Sequence, residues 1–156
     1  MTRFTITGLD ASPFTELYGL TDAALAERGV ERMTVTDKPG FPCRITLEDA
    51  EPGEQVLLFN HEHLAVDTPY RQRHAIFVRE GAEVAATFTD EVPEQLAIRP
   101  LSVRAYDAAG NMTDADLVDG RELPTLIDRL FADPSVAFLH AHNAKRGCFA
   151  ARIDRA

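Results

Sequence analysis

Residues 140–149, HAHNAKRGCF, crowd two alternating histidines, an asparagine, two basic residues and a cysteine into one short stretch near the end of the chain. Two kinds of chemistry fit those residue types. If His142 lies beside Cys148, the imidazole can take the thiol proton and leave a nucleophile, so Cys148 and His142 are the catalytic candidates. The donors His140, His142, Asn143 and Arg146, joined by Arg44 and Arg71 from elsewhere, would suit a small anion, because guanidinium forks match carboxylates and phosphates. The register of the closing hairpin decides the first possibility. Placing His142 opposite Cys148 brings the thiol to the histidine face, and a slip of one residue removes it.

A second pattern runs through two apolar stretches. Leu57, Phe59, His61 and His63 alternate along one, and Val136, Phe138, His140 and His142 along the other. Side chains two apart on a strand share a face, so each stretch presents a His-x-His pair at the end of an apolar stripe. Imidazole suits zinc, copper, iron or nickel, and His61, His63, His140 and His142 are the candidate ligands for a divalent metal cofactor. The opposing account is a polar strand end where the chain leaves the core. Cupins also carry His-x-His on a strand, but the glycine and glutamate spacing of their first motif is missing. The repeated His-x-Thr/Ser of two-histidine phosphoesterases is replaced here by Glu62-His63 and Ala141-His142. The acid-rich DAAGNMTDADLVDG (107–120) lacks the glycine and terminal glutamate of a calcium loop and reads as a hairpin with solvated carboxylates.

These side chains must be positioned by a 156-residue chain with a formal net charge of −9, large enough to bury a real core. Its acidic balance repels phosphate backbones and anionic lipid surfaces, so nucleic acid and membrane are excluded as expected partners. The opening MTRFTITGLD has no apolar run of the export type and no stretch is long enough to span a bilayer, which points to the cytoplasm. In that reducing compartment Cys43 and Cys148 are expected as two free thiols.

The elements follow from periodicity and punctuation. Arg3 to Thr7 is a first strand, and Ser12-Pro13 opens a short helix through Tyr18. Thr21 caps a helix from Asp22 to Arg28 that Gly29 stops. Strands are predicted at Val30–Thr36, Cys43–Leu47, Gln55–Asn60 and Ala75–Arg79, with the doubly apolar Gln55–Asn60 central. Pro93 to Ile98 makes one helical turn. Leu101–Asp107 and Met112–Val118 form a hairpin. Asp119 opens the strongest helix, whose Leu123, Leu126, Ile127 and Leu130 recur at helical spacing, and Asp133-Pro134 ends it. A final hairpin pairs Val136–His142 with Cys148–Ile153, turning through Asn143 and Gly147. Strands cluster without strand–helix alternation, so the expectation is a single α+β domain over residues 1–156: a mostly antiparallel β-sheet with two or three helices packed on it.

PGFPCR (39–44), EDAEPGE (48–54), DTPYR (67–71), HAIFVRE (74–80) and HAHNAKRGCFAARI (140–153) together resemble the bacterial domain-of-unknown-function family 1203. The resemblance implies a small intracellular bacterial protein and supplies no reaction, substrate or cofactor. Three readings therefore stand: a pocket that binds, or turns over, a small anionic metabolite, which is favoured; a metal-binding protein using the His-x-His pairs; and a non-catalytic interaction module. Oligomeric state is not readable from the sequence.

Overall fold

The structure, a computed structural model, describes residues 1–156. In chain order its strands are β1 (Phe4–Thr7), β2 (Glu31–Thr34), β3 (Gln55–Leu64), β4 (Gln72–Arg79), β5 (Thr87–Thr89), β6 (Pro100–Tyr106), β7 (Met112–Asp119), β8 (Phe138–Asn143) and β9 (Phe149–Arg155). Its helices are α1 (Asp22–Glu27), α2 (Glu94–Ala97) and α3 (Leu123–Phe131). Two antiparallel sheets result, one of six strands ordered β5-β1-β9-β8-β6-β7 and one of three ordered β2-β3-β4. The α+β expectation holds, with the sheet divided in two. No helix is long and apolar enough to cross a membrane.

Helix α3 covers one face of the larger sheet. Leu123, Leu126, Ile127 and Leu130 bury against Val103, Leu139, Ala141 and Ile153 in the main core cluster. Asp119 caps the short 3-10 turn that leads into α3, its carboxylate accepting the Arg121 backbone N–H. A second core lies on the three-stranded sheet, where Leu57, Phe59, Ile76 and Val78 meet Ala11, Phe14, Leu17 and Leu25. Thr21 caps α1 as predicted, its hydroxyl accepting from Ala24 N at 3.1 Å. Phe59, Ile76, Leu126, Ile127, Leu130 and Phe138 are buried. Leu58 and Phe77 are only half-buried. They pair directly across β3 and β4 and so share the opposite face of the small sheet from Leu57 and Phe59.

Several elements differ from their sequence reading, among them β4, which begins at Gln72 rather than Ala75. The helix expected at Ser12–Tyr18 is a three-residue 3-10 turn, Thr15–Leu17. Its buried residues Ala11, Phe14 and Leu17 recur every third position, which is the 3-10 period rather than the α period. Cys43–Leu47 is a turn with isolated bridges, not a strand. There the Cys43 sulfur collects the N–H groups of Ile45 and Thr46 at 3.4 Å each, which curls the backbone back on itself. Conversely β3 continues past Asn60 to Leu64, carrying His61 opposite His74 on regular strand and His63 within the bulge between Glu62 and Leu64. The short edge strand β5 has no counterpart in the sequence reading.

Strand β8 explains how two histidines come to be buried. Its pattern is continuous burial from Phe138 to His142, because both of its faces are covered. Leu139 and Ala141 look toward α3. The alternate face, Phe138, His140 and His142, looks away from α3 and receives the far ends of β3 and β4.

Candidate functional site

Four of the five histidines of the chain meet where the two sheets approach each other. His63 and His74, from neighbouring strands of the small sheet, stack with centroids 4.8 Å apart and planes 6° from parallel. His142 from β8 meets them edge-on, 5.1 Å from His63 and 5.3 Å from His74. One ring nitrogen from each of His63, His74 and His142 falls within 4.8 Å of the other two. His140 forms the adjoining wall, its centroid 5.7 Å from His63 and 6.3 Å from His142. Phe149 closes the apolar side, 4.9 Å from both His63 and His140.

The hydrogen bonds assign the free lone pairs. His142 Nδ1 lies 3.0 Å from the Gly147 carbonyl oxygen, which can only accept, so Nδ1 carries the proton and Nε2 does not. That Nε2 is buried and has no partner. His63 Nε2 donates to Gln72 Oε1 at 3.3 Å and leaves its buried Nδ1 unprotonated, likewise without a partner. Gln72 Oε1 also accepts from Arg104 Nη1 at 3.0 Å, and two donors on one atom fix the orientation of that amide. His74 differs, because its Nδ1 accepts the Phe149 N–H at 3.3 Å. His140 Nδ1 is a further buried nitrogen without a partner. Leaving a buried polar atom unpaired costs about 1–3 kcal/mol, so three of them on adjoining rings are a feature that folding alone does not favour.

Electrostatics keep these rings neutral. Burial, with smaller contributions from the neighbouring imidazoles and Arg104, pushes His63 down to about 4. Burial also depresses His142 to about 3 and His140 to about 2, with Arg104 acting in the same direction on both. His74 is lowered by burial and then by Arg104 and Arg44. At neutral pH the cluster is therefore a set of uncharged imidazoles, the form that binds metal. Its neighbouring charges are guanidiniums. Arg104 bonds to Gln72 and Ser102, and Arg44 to Phe149 O, Pro42 O and Cys148 Sγ, with no ion pair from either.

The structure gathers some of the sequence candidates and separates others. His63, His140 and His142 come together. His61 does not join them, its ring standing edge-on to Phe14 in a groove of about 560 Å³ lined also by Glu62 and Arg73. Neither that groove nor a second of about 420 Å³ includes any residue of 140–149. Arg146 is exposed at the hairpin tip. Arg71 is exposed as well, bonded to Val66 O. Asn143 turns its amide toward Cys148 Sγ at 3.7 Å. Arg44 is 2 % exposed and donates to the same sulfur at 3.2 Å. The hairpin register sets His142 opposite Phe149 and His140 opposite Arg152, with a bulge at Ala141–His142. Cys148 consequently faces Arg44 and Asn143, and its hydrogen bonds do not include His142.

Sequence reasoning missed His74, Gln72 and Arg104. His74 is a lone histidine two residues before buried Ile76, and Arg104 lies between buried Val103 and Ala105. Arg104 lies on the face opposite Val103 and Ala105, whereas His74 shares the face of Ile76 and Val78, so the available signals were an alternation in β6 and an apolar stripe of β4 that begins with a histidine.

A sequence profile described as protein of unknown function, DUF1203, matches residues 40–155. This chain belongs to the DUF1203 family. No curated protein and no solved structure matches it. The DUF1203 match spans His63, Gln72, His74, Arg104, His140 and His142, and so takes in the whole cluster.

Proposed function

We propose that this DUF1203 protein binds one divalent transition-metal ion on His63, His74 and His142, with His140 beside them. The observation that carries the reading is His142 Nε2: a buried lone pair without a partner, on a ring held by the Nδ1 bond to Gly147 O and set edge-on to two further imidazoles. A ligating histidine ordinarily donates its second ring N–H to a carbonyl or carboxylate, which is the arrangement at His142 and, through Gln72, at His63. His74 completes the set by giving up the hydrogen bond from Phe149 N–H, which frees its Nδ1 lone pair for the metal. Three protein ligands leave a coordination position for water or substrate, the design of a reactive rather than a structural site. The two free cysteines accord with a reducing bacterial cytoplasm, where we place the protein.

Equilibrium dialysis of chelator-treated protein against Zn(II) and Co(II) tests this. One ion per chain is expected, with affinity reduced more than about tenfold in His63→Ala and His142→Ala. His61→Ala serves as the control and should leave binding unaltered, since its ring lies against Phe14. Substoichiometric metal, or equal affinity in all three variants, would overturn the reading.

A further inference from the structure

The charges around the histidine cluster have one sign. Arg104 stands directly opposite His140 in the β6–β8 pairing, so both side chains project from the same face of the sheet. Its guanidinium spends one Nη1 hydrogen on Gln72 Oε1 at 3.0 Å, the oxygen that also receives His63 Nε2–H. It forms no ion pair, although the chain has 25 acidic residues against 16 basic ones, and most of the other arginines do pair with carboxylates. Arg104 remains partly accessible, unlike His140 and His142. Beside it Tyr106 Oη is buried without a partner.

A divalent ion on three neutral imidazoles brings two positive charges, and Arg104 adds a third. The candidate metal-ligand group contains histidines alone, so no carboxylate of the chain offsets that charge there. Net positive charge in a partly desolvated site is costly unless an anion accompanies it. We infer that the open coordination position takes a small carboxylate, one oxygen on the metal and the group held by the Arg104 fork. This inference rests on the metal reading and names the substrate class of the same site. Arg104 determines specificity through hydrogen bonds to the anion and does not ligate the metal. Its anchor on Gln72 couples the two, since Gln72 orients both the guanidinium and His63. A planar fork with its second Nη1 hydrogen and Nη2 free matches a carboxylate in two-point geometry.

Cobalt(II)-loaded protein, titrated with acetate and separately with inorganic phosphate while the visible ligand-field bands are followed, tests the assignment. Wild type should bind acetate at least about tenfold more tightly than Arg104→Gln. Arg104→Lys should fall between them, because it keeps the charge and loses the fork. Cobalt affinity in Arg104→Gln should match or exceed that of wild type, since a nearby positive charge is gone. Equal acetate binding in wild type and both variants overturns the inference and leaves the metal reading intact. A phosphate preference over acetate overturns the carboxylate assignment. Failure of the wild type to bind cobalt overturns the metal reading, and this inference with it.

Discussion

His142 and Gly147 are joined across their own hairpin turn, Nδ1 to carbonyl oxygen at 3.0 Å. That one bond decides the chemistry of the ring. It places the proton on Nδ1 and leaves Nε2 as a buried acceptor without a partner, on a ring that meets His63 and His74 edge-on. The turn can offer its carbonyl because Gly147 adopts φ +80, a conformation other residues resist.

Gly147→Ala should therefore act at two levels. No heavy atom crowds the added Cβ, so the cost is backbone strain, about 1–2 kcal/mol. Denaturant melts should register that loss. Metal affinity should drop in the same variant, as the carbonyl that orients His142 shifts. A variant as stable and as tight-binding as wild type would detach the turn from the site.

Stability should depend on pH in a defined direction. His140 and His142 have folded values near 2 and 3, far below the ordinary histidine value of 6.5. The unfolded chain therefore binds protons that the native rings refuse, and stability declines as pH falls below about 6.5. Each fully buried ring contributes a slope of about 1.4 kcal/mol per pH unit. Full stability is expected above about pH 7, with a steep loss through the range down to the folded value of about 4 for His63. Urea unfolding of metal-free protein at several pH values measures this. A flat profile through the acidic range would mean the rings titrate freely.

The thiols should differ in access. Cys43 is fully buried, with its sulfur accepting N–H groups from Ile45, Thr46 and Arg79, whereas Cys148 is partly exposed beside Arg44. A disulfide reagent such as Ellman's should find one group in the native protein and two after unfolding without reductant. A single group after unfolding, or none, would point to a bridge instead.

Phe138 stacks on Tyr106 at 5.2 Å and carries the Arg152 guanidinium 4.2 Å above its ring. Leu130 projects from the buried face of α3 into the main core. Alanine at either position should cost about 2–5 kcal/mol. Chemical denaturation giving under about 0.5 kcal/mol for both would contradict the core assignment.

Much of this was legible in the chain. Leucine spacing from Leu123 to Leu130 marked α3, alternation marked the strands, and the His-x-His stripes marked two sides of the cluster. Two things were hidden. The histidine strands belong to different sheets, and no local pattern in either stretch reports that the two sheets pack together. The bulges at Glu62–Leu64 and Ala141–His142 also break the period of two, and no local residue type announces them. His61 and His63 look equivalent by spacing, yet one meets Phe14 and the other His74. Arg104 and His74 were invisible as site residues for a different reason. His74 follows Gln72 and Arg73 at the polar start of β4, ahead of the predicted strand at Ala75–Arg79, Arg104 is a polar residue between Val103 and Ala105, and only tertiary packing brings them beside His63 and His142.

X-ray absorption at the zinc edge of stoichiometrically loaded protein tests the central claim most directly. A three-imidazole centre predicts nitrogen scatterers at about 2.0–2.1 Å, with the multiple scattering of imidazole rings and a further light oxygen donor. A sulfur shell at about 2.3 Å, which would implicate a cysteine, or a shell of oxygens without imidazole, would contradict it.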